Sequence, residues 1–178
     1  MLLNTRVNYG WVAKLLHWLV AVTVFSLFGL GFWMVDLGYY DSWNKLAPHY
    51  HKSIGILLVV VMLFRVAWRC FNVRPDSSKA LTQREQKLSH GVHITLYVAI
   101  FLMFLTGYLI STADNRGIDV FDWFTVPALG AFFENQEDIA GNIHEWLSYS
   151  LIGLAVIHLL AALKHQYVDK NVVLKRML

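Results

Sequence analysis

One apolar stretch decides the fold: residues 144–158, which read HEWLSYSLIGLAVIH. Its terminal histidines, His144 and His158, are fourteen positions apart, and fourteen residues of α-helix make almost four whole turns. The two imidazoles therefore lie on one helix face, about 21 Å apart along the axis. Ionisable side chains within an apolar helix are costly and usually mark a function. The spacing predicts a helix that offers one ligand at each of two depths.

Three further apolar stretches precede this helix. A membrane helix needs about 20 mostly apolar residues, and the sequence predicts four spans, at 12–35, 50–71, 90–112 and 144–166. Hydrophobic residues make up 57% of the chain and charged residues 15%, whereas soluble domains have about 25% charged residues. The expected fold class is all-α: one integral membrane domain over 1–178, a four-helix bundle with cofactor sites in its core.

The basic residues lie mainly on one side of these spans. The connections alternate in charge, and 12 of the 15 lysines and arginines share one side: Arg6, Lys14, Arg65, Arg69, Arg74, Lys79, Arg84, Lys87, Lys164, Lys170, Lys175 and Arg176. Only Lys45, Lys52 and Arg116 fall on the other side. The positive-inside rule then predicts that both termini are cytoplasmic.

The connection between the third and fourth spans mixes acidic and aromatic residues. Its acids are Asp114, Asp119, Asp122, Glu134, Glu137 and Asp138, and its aromatics include Phe121, Trp123, Phe124, Phe132 and Phe133. Disordered segments usually lack aromatic residues, so we expect a segment that lies along the outer membrane interface. Such a segment serves either as a cap over the bundle or as a docking surface.

The histidines are sorted by depth in this topology. His51 lies near the outer surface, at the level of His144, and His17 lies near the cytoplasmic surface, at the level of His158. Neutral imidazole is a common iron ligand, and helical bundles build cofactor sites from facing side chains. Two imidazoles fill both axial positions of a haem iron, which favours electron transfer over oxygen binding. We therefore predict two haem sites, with these four histidines as the iron ligands.

Other metal sites fit the sequence less well. Zinc prefers tetrahedral clusters, and di-iron bundles use several inward glutamates, but these histidines are spread over two depths without a membrane-embedded carboxylate cluster. The single cysteine, Cys70, excludes the CxxCH attachment of a c-type haem. Gly55 and Gly153 lie near the predicted ligands, where they either make room for porphyrin or allow close helix packing. His49 is the alternative to His51 as the ligand on the second span, but it lies nearer to the loop.

Three groups on the cytoplasmic side are candidates for a second binding site. Arg65 lies fourteen residues after His51 and therefore on the same helix face, near the inner haem. His165 shares a face with His158, seven residues earlier, and His93 lies at a similar depth. These side chains are predicted to bind a quinone headgroup or haem propionates. The alternative is a solvated basic interface.

These residues together resemble the bacterial cytochrome b561 family. The resemblance covers nearly the whole chain and rests on KLLHWL (14–19), HKSIG (51–55), SHGVH (89–93), the pair His144 and His158, and the closing stretch 158–176. It implies two haem b groups, the inner held by His17 and His158 and the outer by His51 and His144. It also implies a ubiquinone site near the inner haem, to which His93 and His165 correspond. Some similar proteins oxidise superoxide at the outer face and pass the electrons to quinone.

The resemblance and the residues together predict a membrane oxidoreductase of the respiratory chain in the bacterial inner membrane. It would link a periplasmic donor, either a small molecule such as superoxide or a protein, to the ubiquinone pool. No catalytic residue beyond the haems is expected, and the predicted surroundings are membrane lipid, without a nucleic acid partner. The alternative is a cytochrome b anchor subunit that passes electrons between a partner dehydrogenase or hydrogenase and quinone.

Overall fold

The computed structural model describes residues 1–76 and 81–178, so Lys79, counted above among the basic residues, lies outside the described residues. The elements follow in the order α1 (Trp11–Met34), α2 (Leu46–Phe71), α3 (Gln83–Ser111), β1 (Ile118–Val120), β2 (Phe124–Val126) and α4 (Gln136–Tyr167), before a final 3-10 turn (Leu174–Arg176). All four α-helices are long and apolar enough to cross a membrane. The predicted all-α membrane bundle is confirmed.

Two of the helices begin well before the spans that hydropathy marks. At the start of α3, the Thr82 hydroxyl accepts a hydrogen bond from the Glu85 backbone N–H (3.3 Å), and the Glu85 carboxylate accepts one from the Thr82 backbone N–H (2.8 Å). At the start of α4, the Gln136 side chain accepts from Phe132 N–H (2.8 Å) and donates to the Leu109 carbonyl (2.9 Å). Such contacts satisfy the free polar groups of helix ends. A capping box therefore fixes the start of α3, while Gln136 ties the start of α4 to the end of α3.

The bundle consists of two helix pairs. Helix α1 packs mainly against α2, and α3 packs mainly against α4, while smaller contacts join α2 to α3 and α1 to α4. The shared core contains Val20, Leu58, Met62, Ala99, Ile100 and Leu151, so every helix contributes to it. The larger part of the apolar surface faces outward instead. Val22, Val60, Leu105 and Ile157, one from each helix, are among the exposed large hydrophobic residues, as expected of a multi-pass protein surrounded by lipid.

A small hairpin covers one end of the bundle, and the sequence did not predict it. Strand β1 pairs with β2 in antiparallel register. The buried hydroxyl of Ser53, on α2, donates to the Asp119 carbonyl (3.3 Å) and accepts from the Phe121 N–H (3.1 Å). Tyr108 fixes the next segment, because its hydroxyl donates to the Pro127 carbonyl at 2.8 Å. The aromatic and acidic connection is therefore an ordered cap on α2 and α3.

The opposite end of the bundle gathers both termini and the α2–α3 connection. The Arg176 guanidinium donates to the Val7 carbonyl (2.7 Å) and to the Asp76 carbonyl (2.9 Å). The Asn4 side chain donates to the Val73 carbonyl at 3.0 Å. The three segments that carry most of the basic residues thus lie together at one end, as the alternating charge predicted.

Candidate cofactor sites between the helix pairs

The outer pair of histidines joins the two helix pairs near the hairpin. His51 on α2 and His144 on α4 have ring centroids 6.3 Å apart and an interplanar angle of 68°. Each ring lies against a glycine of the neighbouring helix. A methyl group added at Gly31 would come within 3.1 Å of His51 Cε1, and one added at Gly107 within 3.2 Å of His144 Cε1. Glycine at these two positions makes room for the imidazoles.

Hydrogen bonds orient the outer pair. The Thr106 hydroxyl lies 3.0 Å from the Leu102 carbonyl, to which it donates, and 2.9 Å from His144 Nδ1. A hydroxyl has one proton to donate, so His144 Nδ1–H is the donor in the second contact. His144 Nε2 is then the nitrogen with a free lone pair. In the described part of the chain, His51 Nδ1 is buried and makes no hydrogen bond of good geometry.

The inner pair joins α1 to α4 about four turns away. His17 and His158 have ring centroids 6.4 Å apart and an interplanar angle of 73°. Arg65 reaches across from α2, and its Nη2 lies 3.0 Å from His17 Nδ1. Trp18 packs edge-on against His17, with centroids 5.4 Å apart. Arg65 therefore lies in direct contact with His17.

A third histidine contacts the inner pair. The ring of His93, on α3, lies 5.0 Å from that of His158, closer than His17 does. His93 Nδ1 lies 2.6 Å from the Ser89 carbonyl, and since a carbonyl only accepts, Nδ1 carries the proton. His93 Nε2 is therefore a potential acceptor or ligand. Sequence depth alone assigned His93 to this end of the bundle, but not to direct contact with His158.

His165 lies in a separate cluster at the end of α4. Its Nδ1 is 2.7 Å from Asp169 Oδ2, and Lys164 Nζ is 2.8 Å from the same oxygen. The Lys164 hydrogen bond, followed by that of His165, holds the pKa of Asp169 below its usual range. Glu85 lies nearby, with ligand atoms of Glu85, His165 and Asp169 within 4.8 Å of one another. Over residues 1–76 and 81–178, no hydrogen bond or ring contact joins His165 to His93.

The spacing of both pairs suits one metal ion between two imidazoles. An imidazole nitrogen binds a metal at about 2.0–2.1 Å and lies about 1.2 Å from its ring centre, so opposed rings are about 6.4 Å apart. The observed separations are 6.3 Å and 6.4 Å. Each pair supplies two nitrogens, while a porphyrin supplies the four equatorial ligands of a haem iron. The donor set and the glycine clefts thus fit haem.

An apolar four-helix bundle with two histidine pairs at different depths between its helices has the organisation of a membrane cytochrome b. Comparison of sequences gives the narrower class. The sequence model of the family described as prokaryotic cytochrome b561 matches residues 8–178. Cytochrome b561 homolog 2 of Escherichia coli (strain K12) is 45% identical over 175 residues, which cover 98% of this chain and 93% of that protein. The chain therefore belongs to the prokaryotic cytochrome b561 family, as the resemblance indicated, and is a haem b protein of membrane electron transfer.

Sequence reasoning missed Gly31, Gly107 and Thr106, which surround the outer histidines. Their signal is weak, because glycine within an apolar helix is common in membrane proteins. The sequence analysis singled out Gly55 and Gly153 instead. A methyl group added at either position meets nothing within 4 Å. Among the described residues no neighbouring helix packs closely against these two glycines, so the open space beside them favours the interpretation that they make room for porphyrin.

Proposed function

We propose that this chain holds two haem b groups and moves electrons between a donor on the outer side of the bacterial inner membrane and the ubiquinone pool. The observation that carries the proposal is the pair of matched histidine separations at two depths along α4. In this assignment His51 and His144 hold the outer haem, and His17 and His158 hold the inner one. When bound, each haem would supply a one-electron carrier, and the two histidines of its site would hold it.

Apolar side chains of the bundle core separate the two proposed haem sites. Core side chains including Met62, Ile100 and Leu151 lie between the two histidine levels and are buried. A low-dielectric surrounding and fixed ligand orientation are the means by which a protein tunes a haem. Thr106 fixes the orientation of His144, while Arg65 lies against His17. The inner pair therefore lies beside a guanidinium, whereas the outer pair lies beside a hydroxyl.

The inner end of the bundle supports a quinone site. Quinone carbonyls need hydrogen-bond donors, and quinone reduction consumes protons, which histidine exchanges near neutral pH. His93 lies against the inner pair, and His165 lies with Glu85 and Asp169 near the predicted cytoplasmic surface. The separation of the two histidines suggests two roles: His93 close to the headgroup and His165 on the proton path from the cytoplasm.

The outer end supports a small donor. An open cavity of about 430 Å³ lies beside the start of α2, lined by residues that include His49, Lys52, Arg116, Asp114 and Asp119. Arg116 is bound to Asp114, so Lys52 and Asp119 are the remaining charged groups of this cavity. A local cation accelerates the approach of an anion, so superoxide is a candidate donor, with a periplasmic protein as the other.

Haem content and quinone kinetics of the purified chain test the proposal. Acid-acetone extraction should release two haem b per chain, and reduced-minus-oxidised spectra should show six-coordinate haem. The chain alone should then exchange electrons with a soluble ubiquinone analogue. Fewer than two extractable haems, or haem that stays covalently attached, would contradict the two-site assignment. A strict requirement for a dehydrogenase or hydrogenase partner would favour the anchor-subunit alternative.

A further inference from the structure

Two arginines at the inner end of α2 have no acidic partner among residues 1–76 and 81–178. The guanidinium groups of Arg65 and Arg69 lie over the Tyr97 ring, 5.3 and 5.7 Å from its centroid. In the described part of the chain, neither arginine forms an ion pair. Charged side chains in membrane helices usually pair with an opposite charge or line a ligand path. Arg65 therefore has the surroundings of an anion-binding group whose partner comes from outside the chain.

The present contact of Arg65 is with a predicted haem ligand. Its Nη2 lies 3.0 Å from His17 Nδ1. Arginine has donors and no acceptor, so His17 Nδ1 accepts and the proton of the neutral ring is on Nε2. A histidine that binds iron through Nε2 keeps its proton on Nδ1 and normally donates it to an acceptor. The Arg65 N–H would then face the His17 Nδ1–H, and both are donors. The present contact and iron binding by a neutral His17 through Nε2 therefore exclude each other.

We propose that Arg65 exchanges partners when haem enters the inner site, leaving His17 Nδ1 and pairing with a haem propionate carboxylate. This inference rests on the proposed function. Arginine suits the role because its planar fork matches a carboxylate with two parallel hydrogen bonds. The Tyr97 ring supports the guanidinium beside the inner site, with Arg65 Cζ 5.3 Å from the ring centroid. Arg65 is thus a positioning residue that orients haem in the inner site through its propionate.

The test compares haem b with its dimethyl ester, which lacks the propionate charges, in reconstitution of the purified full-length apo-protein. Wild type should bind haem b more tightly than the ester at the inner site. Arg65→Gln should lose about 10- to 100-fold of that preference, the usual range for a charge-assisted pair. Arg65→Lys, which keeps the charge without the fork, should fall between them. The matched control is Arg74→Gln, which removes the same charge from an exposed residue beyond α2 and should keep the preference.

A second readout separates this role from a merely structural one. Loss of a positive charge favours the ferric form, so the reduction potential of the inner haem should fall in Arg65→Gln and stay nearly unchanged in Arg74→Gln. Equal preference for haem b over its ester in wild type, Arg65→Gln and Arg65→Lys, with both haems bound, would overturn the inference alone. Absence of an inner haem in wild type would overturn the proposed function itself. If Arg65→Gln fails to insert, the lysine variant still decides the question.

Discussion

Replacement of Gly31 by alanine should weaken the outer haem site selectively. The added methyl carbon would lie 3.1 Å from His51 Cε1, whereas carbon atoms in contact prefer about 3.5–4.0 Å. The His51 ring must therefore shift by about 0.4–0.9 Å, away from the position set by its separation from His144. Overpacking of this kind typically costs about 1–3 kcal/mol. If the whole cost falls on the ligated state, haem binding at the outer site weakens about 5- to 150-fold.

Haem titration of the apo-protein, followed by redox titration of the two haems, measures this effect. Gly31→Leu should abolish the outer haem, since a larger group leaves no position for the ring. Gly29→Ala is the matched control, because its added methyl meets nothing within 4 Å and it lies on the same helix two residues away. Unchanged affinity and potential of the outer haem in Gly31→Ala would refute the reasoning. So would loss of the inner haem instead.

Three further predictions concern the ligands, the quinone site and the end of α4. His51→Ala and His144→Ala should each remove the outer haem and spare the inner one, and His17→Ala and His158→Ala should do the reverse. Visible spectra of the folded variants measure this. Loss of the same spectral component from outer-pair and inner-pair variants would contradict the pairing. His93→Ala or His165→Ala should slow electron exchange with ubiquinone while both haems stay bound; haem loss would make the residue a ligand, and unchanged stopped-flow kinetics in both variants would remove the proposed site. The lowered pKa of Asp169 means that its contact with Lys164 stabilises the fold above the ordinary carboxyl pKa of about 3.9, and that this contribution is lost as the pH falls through the lowered pKa. Asp169→Asn should therefore reduce the melting temperature at pH 7 and have little effect near pH 2; an equal shift at both values would contradict the assignment.

The depth of each histidine along its helix was predictable from this sequence. The direction in which each helix face is turned within the bundle was predictable only in part. Fourteen-residue spacings relate His144 to His158 and His51 to Arg65, and each relation needs only the helical repeat. The contact of His93 with His158 depends on how α3 is turned against α4, which the weakly patterned apolar sequence of these helices does not specify. For the same reason, nothing singled out Gly31 and Gly107 from the other glycines.

The β-hairpin was not predictable because its turn lacks the usual residues. Phe121 and Asp122 both have positive φ, 47° and 59°, where hairpins most often use glycine or asparagine. Contacts outside the hairpin stabilise it instead, chiefly those with the buried Ser53 hydroxyl. The turn residue Phe121 depends on Ser53, which lies more than 60 residues earlier in the chain. The local sequence around the turn therefore gives no indication of it.

Helix α4 contributes a histidine to each pair, and this limits how the chain can vary in length. One residue inserted between His144 and His158 would turn one imidazole by about 100° relative to the other and move it by about 1.5 Å. Insertion of three or four residues would nearly restore the direction but would separate the two levels by about 5 Å more. The same change would be needed in α1 or α2 to keep each histidine opposite its partner. The number of residues between His144 and His158 is therefore fixed by the positions of the two sites. We expect substitutions in this interval to be tolerated far more readily than insertions or deletions.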